Sequence, residues 1–332
     1  MKKILIIKLG AIGDVLRTIP LAKTLKEIYP GSNITWLTLP KTLDVLKNSP
    51  HIDKVLSLPH IQNEKFDMLY NLDIDKEATE LAVKISADKK YGFFSENGYL
   101  SAFNLGAEYY LNTVFDDSFK KNNTKTMEEI MFQTAEISYR KQHVPIILGD
   151  EQIRYAENYL SKENPDVKNL LGIYFGASSR WPSKAWHENN VKEFVGKALN
   201  EGYSILLLGG PNEKNIYEKI SEEFRHAQKV YTMDINNSVL EFASLVNLCK
   251  AVVTTDTMAL HVALALKKQT IGLFFCTSPD EIEGYGLLKK IFSPMLADFF
   301  PEKMDQYNEE LTKSITPDKV LSALKEINPA SQ

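Results

Sequence analysis

The sequence predicts an α/β protein made of two doubly wound, mostly parallel sheets. Short apolar runs alternate with amphipathic helical patterns along the whole chain. At 332 residues the chain is long for one domain and comfortable for two. The alternation also pauses over residues 141–168, where Pro145, Gly149-Asp150 and Pro165 punctuate a single helical pattern at 151–162, and then it restarts.

In order, a buried strand is expected over 4–7. The helix after it has Val15, Leu16, Ile19, Ala22, Leu25 and Ile28 on one side and stops at Pro30-Gly31. Strands follow at 34–37, 55–58 and 68–72, with a short helix marked by Leu43, Val45 and Leu46. Helical patterns occupy 76–86, 99–112 and 126–139, with a strand at 90–93. Beyond the joint come strand 170–175, helix 187–200, strand 204–208, helix 213–225, strand 229–232 and helix 238–247. A strand at 251–253 runs into a helix with Met258, Val262 and Ala265 on one face, and strand 270–275 follows. Thr316-Pro317-Asp318 caps a last helix that reaches about residue 327. The domains are therefore placed at 1–150 and 151–332, facing across a cleft, with the last helix free to pack back on the first.

Composition narrows the function. Hydrophobic residues make up 44% and charged residues 25%, as in an ordinary soluble protein, and the net charge of −4 argues against a general nucleic-acid binder. Lys2, Lys3, Lys8, Arg17, Lys23 and Lys26 outnumber Asp14 and Glu27 in the first thirty residues. That excess suits either a solvated helix face or a surface meeting an anionic acceptor or membrane. Cys249 and Cys276 belong to no C-x-x-C pair, which gives no basis for structural zinc or a disulfide framework. No apolar run approaches a membrane span, and four apolar residues before Lys8 are too few for a signal peptide, so a cytoplasmic location is expected.

Four clusters carry chemistry. Lys8-Leu-Gly10-Ala-Ile-Gly13-Asp14 is a strand-to-helix turn whose glycines admit a second molecule close to the backbone, with Asp14 at the mouth of the sheet or capping the helix. G-x-x-G is not G-x-G-x-x-G, and Thr38-Leu39-Pro40 stands where a ribose-binding acid would end the second strand, so a nicotinamide oxidoreductase is disfavoured. Gly176-Ala-Ser178-Ser179-Arg180-Trp181-Pro-Ser-Lys184-Ala-Trp186 offers hydroxyls and cations beside two indoles, which suits a diphosphate with a flat ring nearby. Gly209-Gly210-Pro211-Asn212-Glu213 closes the second strand of the second half, where a carboxylate holds ribose hydroxyls or simply starts a helix. Thr255-Asp256-Thr257-Met258-Ala-Leu-His261 places free helix N–H groups at a strand's carboxyl end, a site for phosphate. A carboxylate there fits a cap or an acceptor for sugar hydroxyls better than a phosphate ligand.

Together, Ile7-Lys-Leu-Gly-Ala-Ile-Gly-Asp14-Val-Leu-Arg-Thr-Ile-Pro20, the two middle clusters, and Thr255-Asp-Thr-Met-Ala-Leu-His261 with Gly284-Tyr-Gly286 resemble the bacterial heptosyltransferase family. These are GT-B glycosyltransferases of the ADP-heptose:lipopolysaccharide type, glycosyltransferase family 9. The resemblance covers nearly the whole chain. It implies two Rossmann-like domains, with the acceptor site in the first and the donor site in the second. By motif position Asp14 is the general base, with Gly13 and Arg17 on the acceptor side. Lys184, with Ser178, Ser179 and Arg180, binds the donor diphosphate, and Glu213 holds the ribose. Asp256 contacts hydroxyls of the transferred sugar, the amides of Thr257 and Met258 meet phosphate, and His261 either reaches the same site or steadies the loop. Met258 departs from the family's usual glycine.

This chemistry is coherent without a metal or other cofactor. Lys184 and a helix N-terminus stabilise the leaving group, while Asp14, a stronger base if dried, takes the acceptor's proton. One base without a second carboxylate nucleophile implies in-line displacement and inversion at the anomeric carbon. Asp73-Ile-Asp75 spells the string of metal-dependent transferases but lies in the opposite half from the donor, and reads as solvated or acceptor-facing. His187-Glu188 lacks the H-E-x-x-H continuation of a zinc site. The partners implied are a nucleotide sugar, a lipopolysaccharide-core or other glycan acceptor, and peripheral contact with the inner membrane, with no nucleic acid. An inactive bilobal nucleotide-sugar-binding protein, or a transferase using another nucleotide sugar, stays open.

Overall fold

The computed structural model describes residues 1–58, 64–143 and 145–327. The chain divides into two compact units, Met1–Ile147 with Asp280–Glu283, and Leu148–Pro279 with Gly284–Gln332.

The first unit is a six-stranded sheet of β1 (Lys3–Ile7), β2 (Asn33–Thr38), β3 (Lys54–Ser57), β4 (Phe66–Asn71), β5 (Ala87–Glu96) and β6 (Tyr99–Ala102). Its order is β3-β2-β1-β4-β5-β6, parallel except for the last pair. Ile4, Leu5, Ile6 and Ile7 are all fully buried, as a central parallel strand covered on both faces requires. The helix Ile12–Ile28 buries Val15, Leu16, Ile19, Ala22 and Leu25, whereas Ile28 in its final turn stands 48% exposed.

The largest departure from the sequence reading is at 99–112, which is not one helix. Tyr99–Ala102 is the return strand of a hairpin, and the helix is Leu105–Phe115. Asn97 and Gly98 sit at φ of 53° and 84°, the two left-handed residues that a two-residue hairpin turn needs. That local signal overrides the helical spacing of the apolar residues after it. The pattern at 126–139 contracts to Met127–Thr134, opened by a reciprocal cap between Thr126 and Glu129.

The second unit repeats the plan with β7 (Leu170–Tyr174), β8 (Ser204–Leu208), β9 (Val230–Tyr231), β10 (Ala251–Thr255), β11 (Gln269–Phe274) and β12 (Leu288–Phe292). Its order is β12-β11-β10-β7-β8-β9, with every pair parallel. The sequence reading misses β12, a five-residue edge strand with Lys289 and Lys290 at its centre. The last helix, Pro317–Ile327, lies in this second unit and packs on the helix Glu188–Asn200 and on β11 and β12. Its buried stripe of Val320, Ala323 and Leu324 fixes it there, with Lys325–Glu201 (2.7 Å) and Lys289–Glu326 (2.8 Å) at its rim. Trp186, one of the two indoles read as ligand-facing, is a core residue. Its Nε1 donates to the carbonyl of Ile315 at 2.9 Å and its ring packs on Phe194.

Both sheets reverse strand order once, between β1 and β4 in the first unit and between β7 and β10 in the second. The loops at the carboxyl ends of those strands are where an open α/β sheet binds ligands. In the first unit this place is shaped by a close approach at Gly92, whose φ is +91° and where a Cβ would lie 1.8 Å from the Asn71 carbonyl oxygen. Asn71 in turn donates its side-chain amide to the Phe93 carbonyl at 2.6 Å. Gly92→Ala is expected to destabilise the fold by about 2 kcal/mol or more, combining a left-handed φ with a backbone clash. A urea midpoint unchanged from wild type would show that the backbone there relaxes freely.

Candidate functional site

At the first switch point, Lys8 leaves β1 and Asp73 follows β4. Of the two readings of Asp73, solvated or acceptor-facing, the solvated one does not hold, because the side chain is buried and its Oδ2 accepts the N–H groups of Leu9 (2.9 Å) and Gly10 (2.8 Å). Lys8 Nζ lies 3.6 Å from the same oxygen and donates to the Leu72 carbonyl at 2.9 Å. Burial pulls the Lys8 ammonium down, but the neighbouring Asp73, Asp14 and Tyr110 outweigh it, and its pKa is raised. Lys8 is therefore charged at neutral pH. Asp73 thus shapes the turn that leads to Asp14.

Asp14 is the third residue of the helix Ile12–Ile28, whose cap is Ala11, so Asp14 is not the cap. Its carboxylate pairs with Arg17 one turn on, and its carbonyl accepts the Thr18 hydroxyl at 2.7 Å. Gly13 beside it is buried within the helix. Tyr110 from the helix Leu105–Phe115 joins this cluster, and burial raises its phenol pKa, keeping the proton on. No sequence spacing points to Tyr110, because only the hairpin before it brings that helix over the β1 loop.

The basic residues of the first thirty do not make an open cationic face. Lys2 lies 3.9 Å from Asp67, Lys3 2.6 Å from Glu64, Lys23 4.0 Å from Glu27 and Lys26 2.6 Å from Asp53, while Lys8 and Arg17 turn inward.

At the second switch point, Lys184 and Asp256 form one buried pair. Lys184 sits in the short turn Pro182–Lys184 and donates to Asp256 Oδ2 at 2.7 Å and to the Asp256 carbonyl at 3.0 Å. Thr277, after β11, donates its hydroxyl to the same Oδ2 at 2.7 Å. Burial alone would raise the Asp256 pKa, but the Lys184 charge and hydrogen bond, with His261 and Thr277, bring it down to about 2. The sequence reading gave Lys184 to a diphosphate and Asp256 to sugar hydroxyls as separate contacts, whereas here they hold each other. Thr277 was not foreseen, since nothing in Cys276-Thr277-Ser278 marks it. Burial pushes the Cys276 thiol up to about 11, so it is no nucleophile.

Asp256 leads into the helix Met258–Ala265, with Thr257 as its cap. The first N–H groups of such a helix have no intrahelical acceptor. Met258 occupies the first helical position outside the left-handed region, so the backbone there does not itself demand glycine. Ser178, Ser179 and Arg180 are exposed on the loop after β7. Of these, Arg180 adjoins the buried pair through Trp181, whose ring centroid lies 4.7 Å from the Arg180 guanidinium carbon and 4.6 Å from Lys184 Nζ.

Glu213 closes the loop after β8. It accepts the Gly210 N–H at 3.0 Å and bonds with the Tyr174 hydroxyl, and burial raises its pKa despite both. A Cβ on Gly176 would sit 2.2 Å from Glu213 Cγ, so glycine at 176 is what lets that carboxylate lie across the end of β7. Thr255 ties the same spot to β10 by donating to the Gly176 carbonyl at 2.6 Å.

Two doubly wound sheets with buried charged groups at their switch points define a two-unit, Rossmann-like α/β protein. Residues 58–306 match glycosyltransferase family 9 (heptosyltransferase), and the chain belongs to that family of glycosyltransferases. The lipopolysaccharide heptosyltransferase 2 of Salmonella typhimurium is 22% identical over 306 residues, 84% of each chain. Among solved structures, a glycosyl transferase family 9 protein from Veillonella parvula shares the fold with a TM-score of 0.78, at 18% identity over 98% of this chain and 97% of its own. The ADP-heptose LPS heptosyltransferase II of E. coli does so with a TM-score of 0.72, at 20% identity over 98% of both chains. The two Rossmann-like domains are thus of the GT-B kind. The family match begins after the turn that carries Asp14.

Removing one member of the Lys184–Asp256 pair leaves a buried charge alone. Lys184→Met is expected to cost about 3–5 kcal/mol in urea denaturation, while Lys184→Met with Asp256→Leu recovers most of it. In the wild type the Asp256 contribution is present above the ordinary carboxylate pKa of 3.8 and is lost as pH falls toward about 2. A Lys184→Met protein as stable as wild type at pH 7 would contradict the pairing.

Proposed function

We propose that this protein is an inverting, metal-independent transferase that moves a heptose from ADP-heptose to a lipopolysaccharide-core acceptor, with Asp14 as general base. The observation that carries the reading is the family match joined to a carboxylate at the switch point of the other sheet. The Salmonella relative is named for lipopolysaccharide and the E. coli structure for ADP-heptose, which supports that donor and acceptor.

In this reading the loop after β7 and the N-terminus of the helix Met258–Ala265 receive the donor diphosphate. The amides of Thr257 and Met258 meet the charge that develops as ADP leaves, with Lys184, Ser178, Ser179 and Arg180 around it. Glu213 accepts the ribose hydroxyls, and Asp256 and His261 line the sugar side. Asp14 takes the proton of the incoming hydroxyl while Arg17 holds its carboxylate in place. Attack from the face opposite the departing ADP inverts the anomeric carbon, and no covalent glycosyl–enzyme forms. Asp73 serves backbone amides and a lysine, which leaves the D-x-D string to structure. A glycolipid acceptor sets the reaction at the cytoplasmic face of the inner membrane as a peripheral contact. Among the described residues no helix is long and apolar enough to cross a membrane.

Incubation with ADP-heptose and a lipid A–core acceptor is expected to release ADP with or without EDTA. A protein that only binds nucleotide sugars would bind ADP-heptose and release nothing. Asp14→Asn is expected to lower kcat by roughly 10²- to 10⁴-fold with donor affinity intact; turnover at the wild-type rate would remove Asp14 as base. Gly176→Ala tests the donor half separately. Displacing Glu213 is expected to raise the Kd for ADP about tenfold, one charge-assisted hydrogen bond of ~1.5 kcal/mol, measured by calorimetry. An unchanged Kd would detach Glu213 from the nucleotide.

A further inference from the structure

Lys184 is placed by more than its partner Asp256. The turn that carries it, Pro182–Lys184, lies beyond Tyr174, where the pairing of β7 with β8 and β10 ends. One residue before the lysine, the side chain of Ser183 is fully buried. Its hydroxyl donates to the Gln306 carbonyl at 2.8 Å and accepts the Asn308 N–H at 2.8 Å. Both partners are backbone groups, 123 and 125 residues further along the chain. They flank Tyr307, whose side chain is 61% exposed, so this segment meets the serine through its main chain.

The same stretch goes on to hold the rest of the loop. Asn308 caps the helix Glu309–Lys313, its side chain accepting the Leu311 N–H at 2.8 Å. The Thr312 carbonyl accepts the His187 N–H at 3.2 Å. The Lys313 carbonyl accepts the Asn190 amide at 2.9 Å, and the Ile315 carbonyl accepts both Asn190 at 3.0 Å and Trp186 Nε1 at 2.9 Å. Residues 306–315 are thus the backing on which residues 183–190 are laid.

Within that backing Ser183 has a particular place. A hydroxyl that both donates and accepts fixes its own backbone in position and direction. Lys184, next to it, reaches to the end of β10, where Nζ meets Asp256 Oδ2 and the Asp256 carbonyl. An ion pair at the tip of a four-carbon stem anchors the ammonium but leaves its backbone free to shift. The turn is therefore held at adjacent residues from two parts of the fold, and the outer hold is the serine.

We propose that Ser183 is a positioning residue for donor binding, fixing the Lys184 turn against the main chain at 306–308 so that the ammonium stands in one place toward the donor diphosphate. Ser183 touches no substrate in this role and acts through Lys184. The inference rests on the reading of the second unit as the ADP-sugar half.

The test titrates the full chain with ADP by calorimetry and follows thermal unfolding of the same proteins. Ser183→Ala is expected to raise the Kd for ADP about three- to tenfold, as one charge-assisted contact is weakened. Asn190→Ala supplies the comparison, since it cuts two bonds to the same backing and leaves Ser183 in place. It is expected to lower Tm with the Kd for ADP unchanged. Should Ser183→Ala fail to fold, Ser183→Cys, with a weakly bonding thiol of similar size, takes its place in the comparison. A serine variant with lowered Tm and wild-type ADP affinity would make Ser183 a structural residue and overturn the proposal. Equal losses of affinity in the Ser183 and Asn190 variants would overturn it too, because any loosening of the backing would then do the same. If wild type itself binds no ADP, the donor assignment fails and takes this proposal with it. If wild type binds ADP and the serine variant binds it as tightly, only the role of Ser183 fails.

Discussion

A buried lysine–aspartate pair sits at the switch point of each sheet, and the loops that carry the chemistry hang on it. In both units the aspartate follows the fourth strand, and the lysine comes from the chain that leaves the first: Lys8 with Asp73, Lys184 with Asp256. The topology makes this meeting unavoidable. The first and fourth strands are neighbours whose onward chains turn to opposite sides, so their carboxyl ends face one gap. A carboxylate there is stripped of water and persists only where a cation and hydrogen-bond donors replace its hydration. The same contacts that stabilise the charge clamp two loops that share no backbone hydrogen-bond ladder.

The two pairs do different things with the clamp. Asp73 turns one oxygen onto the amides of Leu9 and Gly10, so the carboxylate shapes the turn that presents Asp14. Asp256 takes Lys184 and the Thr277 hydroxyl, leaving the amides at the start of the following helix outside its reach. Under the proposed function this shifts weight within the donor half. A lysine already compensated by an aspartate adds little net charge for an anion, so attraction for a diphosphate falls to the helix amides, Arg180 and His261. Lys184 then contributes a donor in a fixed place more than a charge.

Much of this was legible in the residues. Parallel strands buried on both faces are runs of Ile, Leu and Val, and β1, β2, β4, β7, β8, β10 and β11 appear in the sequence within two residues of their ends. Gly, Ser, Thr and Asp after those runs mark the loops that matter, because a strand that must stop at a ligand needs small and polar residues. What stayed hidden depends on distant parts of the chain. Tyr110 joins Lys8 only through the β5–β6 hairpin, and Asn97-Gly98 announced that hairpin before the helical spacing of 99–112 obscured it. The pairing of Lys184 with Asp256 spans 72 residues. Motif position placed both residues in the site without revealing that they neutralise each other.

The distribution of awkward groups argues for function independently of any relative. Lys8, Asp73 and Tyr110 in one unit, and Tyr174, Lys184, Glu213 and Asp256 in the other, are ionisable side chains in or around the strand ends of their own sheet. Burial disfavours the charged form of every one whose titration is displaced. Apolar residues of similar volume in such places often leave a fold as stable or more so. A chain shaped for stability alone would scatter or remove them, and the rest of this core, the sheets of Ile, Leu, Val and Phe, carries few of their kind. Their concentration where parallel strands open is what a reaction that moves a proton and releases an anion requires. The stability they forgo is the cost of holding charge ready in a dry place, and it falls on the loops of the fold that chemistry can use.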